Sequence, residues 1–377
     1  MSATATKDIF CSAAVREIAD EINRAYPAFD TAKFVADSLA GFDRLELTGR
    51  AAHIADALHE YLPQPFARAA AIIEAALGAE IPGTGENGLA PLRYMPHVLF
   101  VQKYGLDDYE AAIRLQAELT KRFSAEFSIR AFLTRYPERT YAQMLTWARD
   151  DNVHLRRLAS EGTRPRLPWA PQLTSYRQDP RPVIALLELL KDDPERYVQR
   201  SVANSLNDIA KDHPELVVQL CRRWLKGAAA DRKWIVKHAL RSLVKKGHRG
   251  ALEALGVGGR PTIRITGVKL TPKSVELGGI VRFSFKIASV GDEDQHLLID
   301  YSVHFVKANG MTKPKVFKLR KTVLAPSARI DLEGAISLAQ MTTRRHYPGR
   351  HRISALVNGI AYPLADFDVR PSGTTHI

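Results

Sequence analysis

Three times in the first two thirds of this chain a proline opens an amphipathic stretch, a polar turn follows, and a second amphipathic stretch comes after it. Pro137 is followed ten residues on by Trp147, Pro180 by Leu190 and Pro214 by Trp224. Proline suits a first helical turn, where its missing N–H has no partner to lose. The second stretches run from Val153 to Ser160, Tyr197 to Lys211 and Lys233 to Lys246. Blocks of 43 and 34 residues with the same internal order predict stacked helical pairs of HEAT type. Amphipathic stretches near 49–61, 65–77 and 107–120 extend the helical reading towards the N-terminus.

The pattern breaks at residues 256–261, Gly-Val-Gly-Gly-Arg-Pro. Short β-rich runs follow: Thr262 to Leu270, Ile280 to Ala288, Leu297 to Lys307, Lys315 to Thr322, Ala328 to Ala335 and Arg350 to Val357. Val281 to Ile287 alternates apolar and polar residues, as a strand with one buried face should. The expected organisation is therefore a HEAT-like helical domain over 1–256, a linker over 257–261 and an immunoglobulin-like β-sandwich over 262–377.

Composition removes several function classes. No run reaches the ~18 apolar residues of a membrane span. Asp8, Arg16 and Glu17 interrupt any signal-peptide core. The two cysteines, Cys11 and Cys221, form no CxxC pair, and the twelve histidines are scattered, so neither a disulfide framework nor a metal site is expected. A cytoplasmic protein with no membrane partner is the resulting expectation.

The formal charge is +13 and the pI about 9.7, which favours a polyanionic partner. The charge is concentrated: +8 over 261–377, +9 over 222–249, and −4 over the rest of the helical part. Lys233, Lys237, Arg241 and Lys245 recur every fourth residue and would form a stripe on one helix. Like charges at this spacing cost a helix a few tenths of a kcal/mol per pair. The stripe is either a solvated face or a row of phosphate contacts. A second cluster, Arg344, Arg345, Arg350 and Arg352, flanks the Pro348-Gly349 turn and is either a solubilising loop or a DNA contact.

Three carboxylates and one indole are the candidates for chemistry. Asp208 falls on a helix, a rigid mount for a functional group; otherwise it is an exposed acid among basic neighbours. Glu161 ends a helix just before Gly162, where the dipole disfavours negative charge. Glu126 would begin a helix, where the dipole favours it. Trp169 lies in a proline-framed basic loop, residues 163–171, and would either cap the helical core or stack on a ligand beside cations. No Walker loop, GxGxxG, HExxH or GxSxG motif is present.

The segments Ser124 to Arg130, His154 to Trp169 and Val202 to Ile209 resemble the AlkC branch of the AlkC/AlkD DNA glycosylases, most strongly over 124–247. The order of helical repeats and immunoglobulin-like extension is similar too. The resemblance implies excision of cationic N-alkylated bases from double-stranded DNA, chiefly 3-methyladenine and also 3-methylcytosine, by a monomer without metal or organic cofactor. It implies that Glu126, Glu161 and Asp208 line the cleft, that Trp169 is their aromatic partner, and that the lesion is not drawn into a deep pocket. Arg157 is expected at the substrate. Arg164 and Arg166 are expected on DNA with Lys233, Lys237, Arg241, Lys245 and the sandwich arginines. Clustered carboxylates would stabilise the sugar's oxocarbenium ion and orient water. The competing expectation is a non-catalytic HEAT scaffold for nucleic acid or an acidic protein.

Overall fold

A computed structural model describes residues 6–81, 90–257, 259–340 and 345–371. The chain divides into two compact units, one of Met1–His213 with Gly227–Ala239, the other of Pro214–Lys226 with Leu240–Ile377. The chain is helical up to residue 254 and strand-rich from residue 263. No described helix is long and apolar enough to cross a membrane.

In the first unit the proline-led helices form as the sequence predicts. Pro137–Trp147 precedes Val153–Gly162, and Arg181–Leu190 precedes Arg196–Ile209. Asn152 caps the Val153 helix by accepting from the His154 backbone N–H at 2.9 Å. That helix buries Leu155, Leu158 and Ala159, and Arg196–Ile209 buries Val198, Val202, Leu206 and Ile209. The two pack on each other. At their junction with the Ile129–Arg135 helix, a Cβ on Gly162 would stand 2.7 Å from Ile129 Cγ2, so glycine is what lets the two backbones approach.

Two expectations for helical segments are corrected. Lys233–Lys246 is not one helix: Ala230–Ala239 and Arg241–Lys245 are separate helices with Leu240 between them. Each piece packs within its own unit, the first on Arg196–Ile209 and the second on Arg249–Ala254. The four cations are therefore divided between two helices. Lys233 and Lys237 are exposed on the first piece, and Lys245 is exposed on the second, where Arg241 is half-buried. Glu126 does not begin a helix either; it sits in a turn ahead of Ile129–Arg135.

The strand-rich part is a two-sheet sandwich. Its strands are β1 (Ile263–Thr271), β2 (Ser274–Glu276), β3 (Ile280–Ser289), β4 (Gln295–Val306), β5 (Thr312–Leu324), β6 (Arg329–Ser337), β7 (Gly349–Val357) and β8 (Ile360–Arg370). One sheet has the order β1-β3-β6 and the other β2-β8-β7-β4-β5. Phe283, Phe285, Ile299, Val303, Ile353 and Phe367 fill the space between them. Sequence reading found six of these strands and missed β2 and β8. Pro363 hides β8, because proline cannot donate to a ladder. It is accommodated by a register shift between Ile353 and Ser354 of the partner strand β7.

Of the sandwich arginines, Arg344 lies outside the described residues and Arg345 is exposed. Arg350 and Arg352 are on strand β7 rather than in a loop, and both pair with Asp366 of β8 at 3.2 Å.

Candidate active site

Six side chains from four segments meet in the first unit and alternate in charge. Arg157 Nη1 donates to Glu126 Oε2 at 2.6 Å, and Arg157 Nη2 lies 3.4 Å from Glu161 Oε1. Arg164 Nη1 donates to the same Glu161 oxygen at 2.6 Å, while Arg164 Nε reaches Asp208 Oδ2 at 2.9 Å. Lys211 Nζ closes the row on Asp208 Oδ1 at 2.9 Å. The row thus reads Glu126, Arg157, Glu161, Arg164, Asp208, Lys211, and carries three charges of each sign.

The helical spacing explains how it assembles. Arg157 and Glu161 are four residues apart on one helix, and Asp208 and Lys211 are three apart near the end of another. Arg164 follows Glu161 by three residues and turns back over it. Ser201, two turns before Asp208 on the same face, donates to Glu161 Oε2 at 2.6 Å and lies 2.9 Å from Ser160 Oγ.

Burial sets the electrostatics. Asp208 is 2% and Glu161 5% exposed, so the reading of Asp208 as an exposed acid is overturned. Burial pushes the Glu161 carboxyl up, but Arg157, Arg164 and the Ser201 hydroxyl outweigh it and hold the pKa below the usual value. The unfavourable helix dipole at Glu161 is met by these two guanidiniums. Glu126, in its turn, also accepts from Ser124 Oγ at 2.9 Å.

A depressed carboxylate pKa has a definite consequence for stability. The folded state binds the ionised form, so this contribution is complete above the unfolded value, near 4.5, and is lost as pH falls through the folded value. The melting temperature of the wild type should exceed that of Glu161→Gln at pH 7. The gap should close as pH is taken well below 4.5; a gap independent of pH would refute the ionic role.

The arginines serve carboxylates as much as any partner outside the chain. Arg164, expected on DNA, is 8% exposed and bridges Glu161 to Asp208. Its Nε and Nη1 are thereby committed to Asp208 and Glu161. Arg166 forms a two-pronged pair with Asp212 at 2.6 and 3.0 Å, shared with Arg177. Arg157, expected at the substrate, is engaged by Glu126, Glu161 and Ser124, and lies 5.2 Å from the centre of the Tyr197 ring.

Trp169 is the opposite case. It is 80% exposed and its φ is +64°, in the left-handed region that disfavours a bulky side chain. The alternative that it caps the helical core is overturned. An indole left in water forgoes about 2–3 kcal/mol of burial, and its backbone adds strain of roughly 1–3 kcal/mol.

Arg130, which sequence reasoning did not single out as functional, holds this loop in place. Its guanidinium donates to the carbonyls of Gly162 at 3.0 Å, Arg164 at 2.7 Å and Pro171 at 2.6 Å. Burial, and then the like charge of Arg164, bring its pKa down to about 10. Nothing in sequence spacing signals such a clamp, because its acceptors are backbone oxygens about 30–40 residues away. Arg130→Met leaves those carbonyls unsatisfied and should cost about 2–4 kcal/mol. Denaturant unfolding checks the magnitude, and limited proteolysis within 163–171 checks the location.

The comparisons with known proteins agree with this architecture. A family model described as DNA alkylation repair enzyme matches residues 118–243. The model for the C-terminal immunoglobulin-like domain of the uncharacterised protein YhaZ matches 264–371. The chain is 35% identical to YhaZ of Bacillus subtilis over 96% of its own length and 99% of that protein. It is 37% identical to the Pseudomonas fluorescens alkylpurine DNA glycosylase AlkC, whose structure was solved on DNA containing an abasic site analogue. That match covers 97% of this chain and 100% of the other, with a TM-score of 0.91. With both halves matched in order, this chain belongs to the DNA alkylation repair enzyme family, in its AlkC-type branch of helical repeats followed by an immunoglobulin-like domain.

Proposed function

We propose that this protein is a DNA glycosylase that removes cationic N-alkylated bases, chiefly 3-methyladenine and also 3-methylcytosine, from double-stranded DNA. The observation that carries the reading is the row of carboxylates paired with guanidiniums, Glu161 and Asp208 among them buried, beside the loop that presents Trp169.

A 3-alkylated adenine on deoxyribose already carries positive charge and is a good leaving group. When its N-glycosidic bond breaks, the electron pair goes to the base, which departs neutral, and positive charge develops on the sugar. Water then adds to C1′ and loses a proton. An enzyme for this reaction needs no strong acid; it needs fixed negative charge near C1′ and an acceptor for water's proton. Glu161 and Asp208 fit the first task and Glu126, the most exposed of the three, supports them. Arg157 and Arg164 favour the ionised form of Glu161, and the cations in the row would lessen the repulsion of the phosphates on either side.

Trp169 would pack on the lesion nucleotide, recovering on binding the burial it forgoes in the free protein. Lys233, Lys237, Arg241, Lys245, Arg344, Arg345, Arg350 and Arg352 remain proposed backbone contacts. Lys233 and Lys237 are the best presented of them, being exposed one turn apart on one helix. A monomer without cofactor suffices for this chemistry.

Release of free base from methylated DNA tests the reading. Wild type should release 3-methyladenine, and Trp169→Ala should lower the efficiency by ~10-fold or more, the worth of one stacking contact. Salt-sensitive DNA binding with no base release would replace the glycosylase by a scaffold.

A further inference from the structure

A cavity of about 240 Å³ lies beside Glu126 in the first unit. Phe123, His154 and Tyr197 give it aromatic walls, and Thr120, Ser124 and Arg157 also line it. His154 and Tyr197 meet edge to face, with ring centres 5.8 Å apart. The reading proposed above uses Glu126 and Arg157 but assigns no role to the space in front of them.

The hydrogen bonds already made around the cavity show what it lacks. Both described bonds to the Glu126 carboxylate fall on Oε2, leaving Oε1 to accept. His154 Nε2 is 3.2 Å from the carbonyl of Ile81. A carbonyl only accepts, so Nε2 carries the hydrogen, and in a neutral ring Nδ1 is left with a lone pair. Arg122, the other cation in the lining, is spent on the Gly78 carbonyl and on Glu118. The arginines are engaged and the spare capacity is for accepting. A planar, apolar-faced molecule with N–H groups on its edge matches such a space.

We infer that this cavity is a binding site for the free excised base, of the class of alkylated adenines and cytosines that carry an exocyclic amine. This rests on the glycosylase reading and extends it. The base would enter only after the glycosidic bond breaks, so no extrusion of an intact nucleotide is required. The amine would donate to Glu126 Oε1 while the ring lies against Tyr197 and Phe123.

Equilibrium dialysis of DNA-free, full-length protein against labelled 3-methyladenine tests the inference without depending on turnover. Saturable binding is expected at about 1 mM or tighter. It should weaken ~10-fold when the probe is 3-methylhypoxanthine, whose carbonyl replaces the donor amine, and by a similar factor in Tyr197→Ala. No saturable binding, or equal binding of the two bases, would overturn it. The probe comparison is made on wild type, so it stands even where Tyr197→Ala does not fold. Selective base binding by a protein that releases no base from DNA would retain the site and remove the glycosylase. Release without base binding would do the reverse.

Discussion

Asp208→Asn should lower the single-turnover release of 3-methyladenine by ~10²-fold or more, the usual loss when one electrostatic contact to a developing charge is removed. The substitution keeps the shape of a side chain that is 2% exposed and removes only its charge. It also leaves Arg164 and Lys211 each short of a carboxylate oxygen's charge, at 2.9 Å in both cases. The measurement therefore needs a companion: circular dichroism and thermal unfolding to show that the fold persists, and DNA binding at fixed salt. Lost release with binding retained is the expected pattern. Undiminished release would remove Asp208 from the proposed chemistry, and with it the argument that negative charge at this point stabilises the sugar.

Arg164→Met should have the largest effect on stability, a loss of about 3–5 kcal/mol, because it strips the shared partner from two buried carboxylates at once. Arg164 is the only described cation bonded to both Glu161 and Asp208. With it gone, Glu161 retains Arg157 at 3.4 Å and Ser201, and Asp208 retains Lys211. Burial then acts against the Glu161 carboxylate with less to offset it, and its pKa moves upward. This variant should become more stable as pH falls from 7 towards 5, opposite in direction to the acid destabilisation expected of the wild type. Urea denaturation at the two pH values reads both signs. Had Arg164 been a phosphate contact instead, the variant would unfold like wild type and lose only DNA affinity.

Much of the candidate site was legible in the sequence because its residues are tied to helical positions. Arg157 and Glu161, or Asp208 and Lys211, are neighbours by periodicity alone once those segments are helical. The proline-led blocks made them so, and family resemblance over 124–247 brought Glu126, Glu161, Asp208 and Trp169 together as a set. The same local logic found β1 and β3 to β7. It failed where a partner far along the chain decides the outcome. Pro363 reads as a strand breaker until the register shift opposite it on β7 is known. A row of four lysines and arginines reads as one helix until Leu240 is seen between two separately packed pieces.

The sequence by itself determined the two architectures and the concentration of positive charge, since periodicity and charge are local properties. Tertiary structure alone decided which charges neutralise one another. Arg164 looks like a DNA contact in sequence and proves to be the bridge between Glu161 and Asp208. Arg130 looks ordinary and holds three carbonyls of the segment that ends in the Trp169 loop. A guanidinium pairs with whatever acceptor folding brings within about 3 Å, and that distance depends on how helices from separate repeats pack, which no single segment encodes.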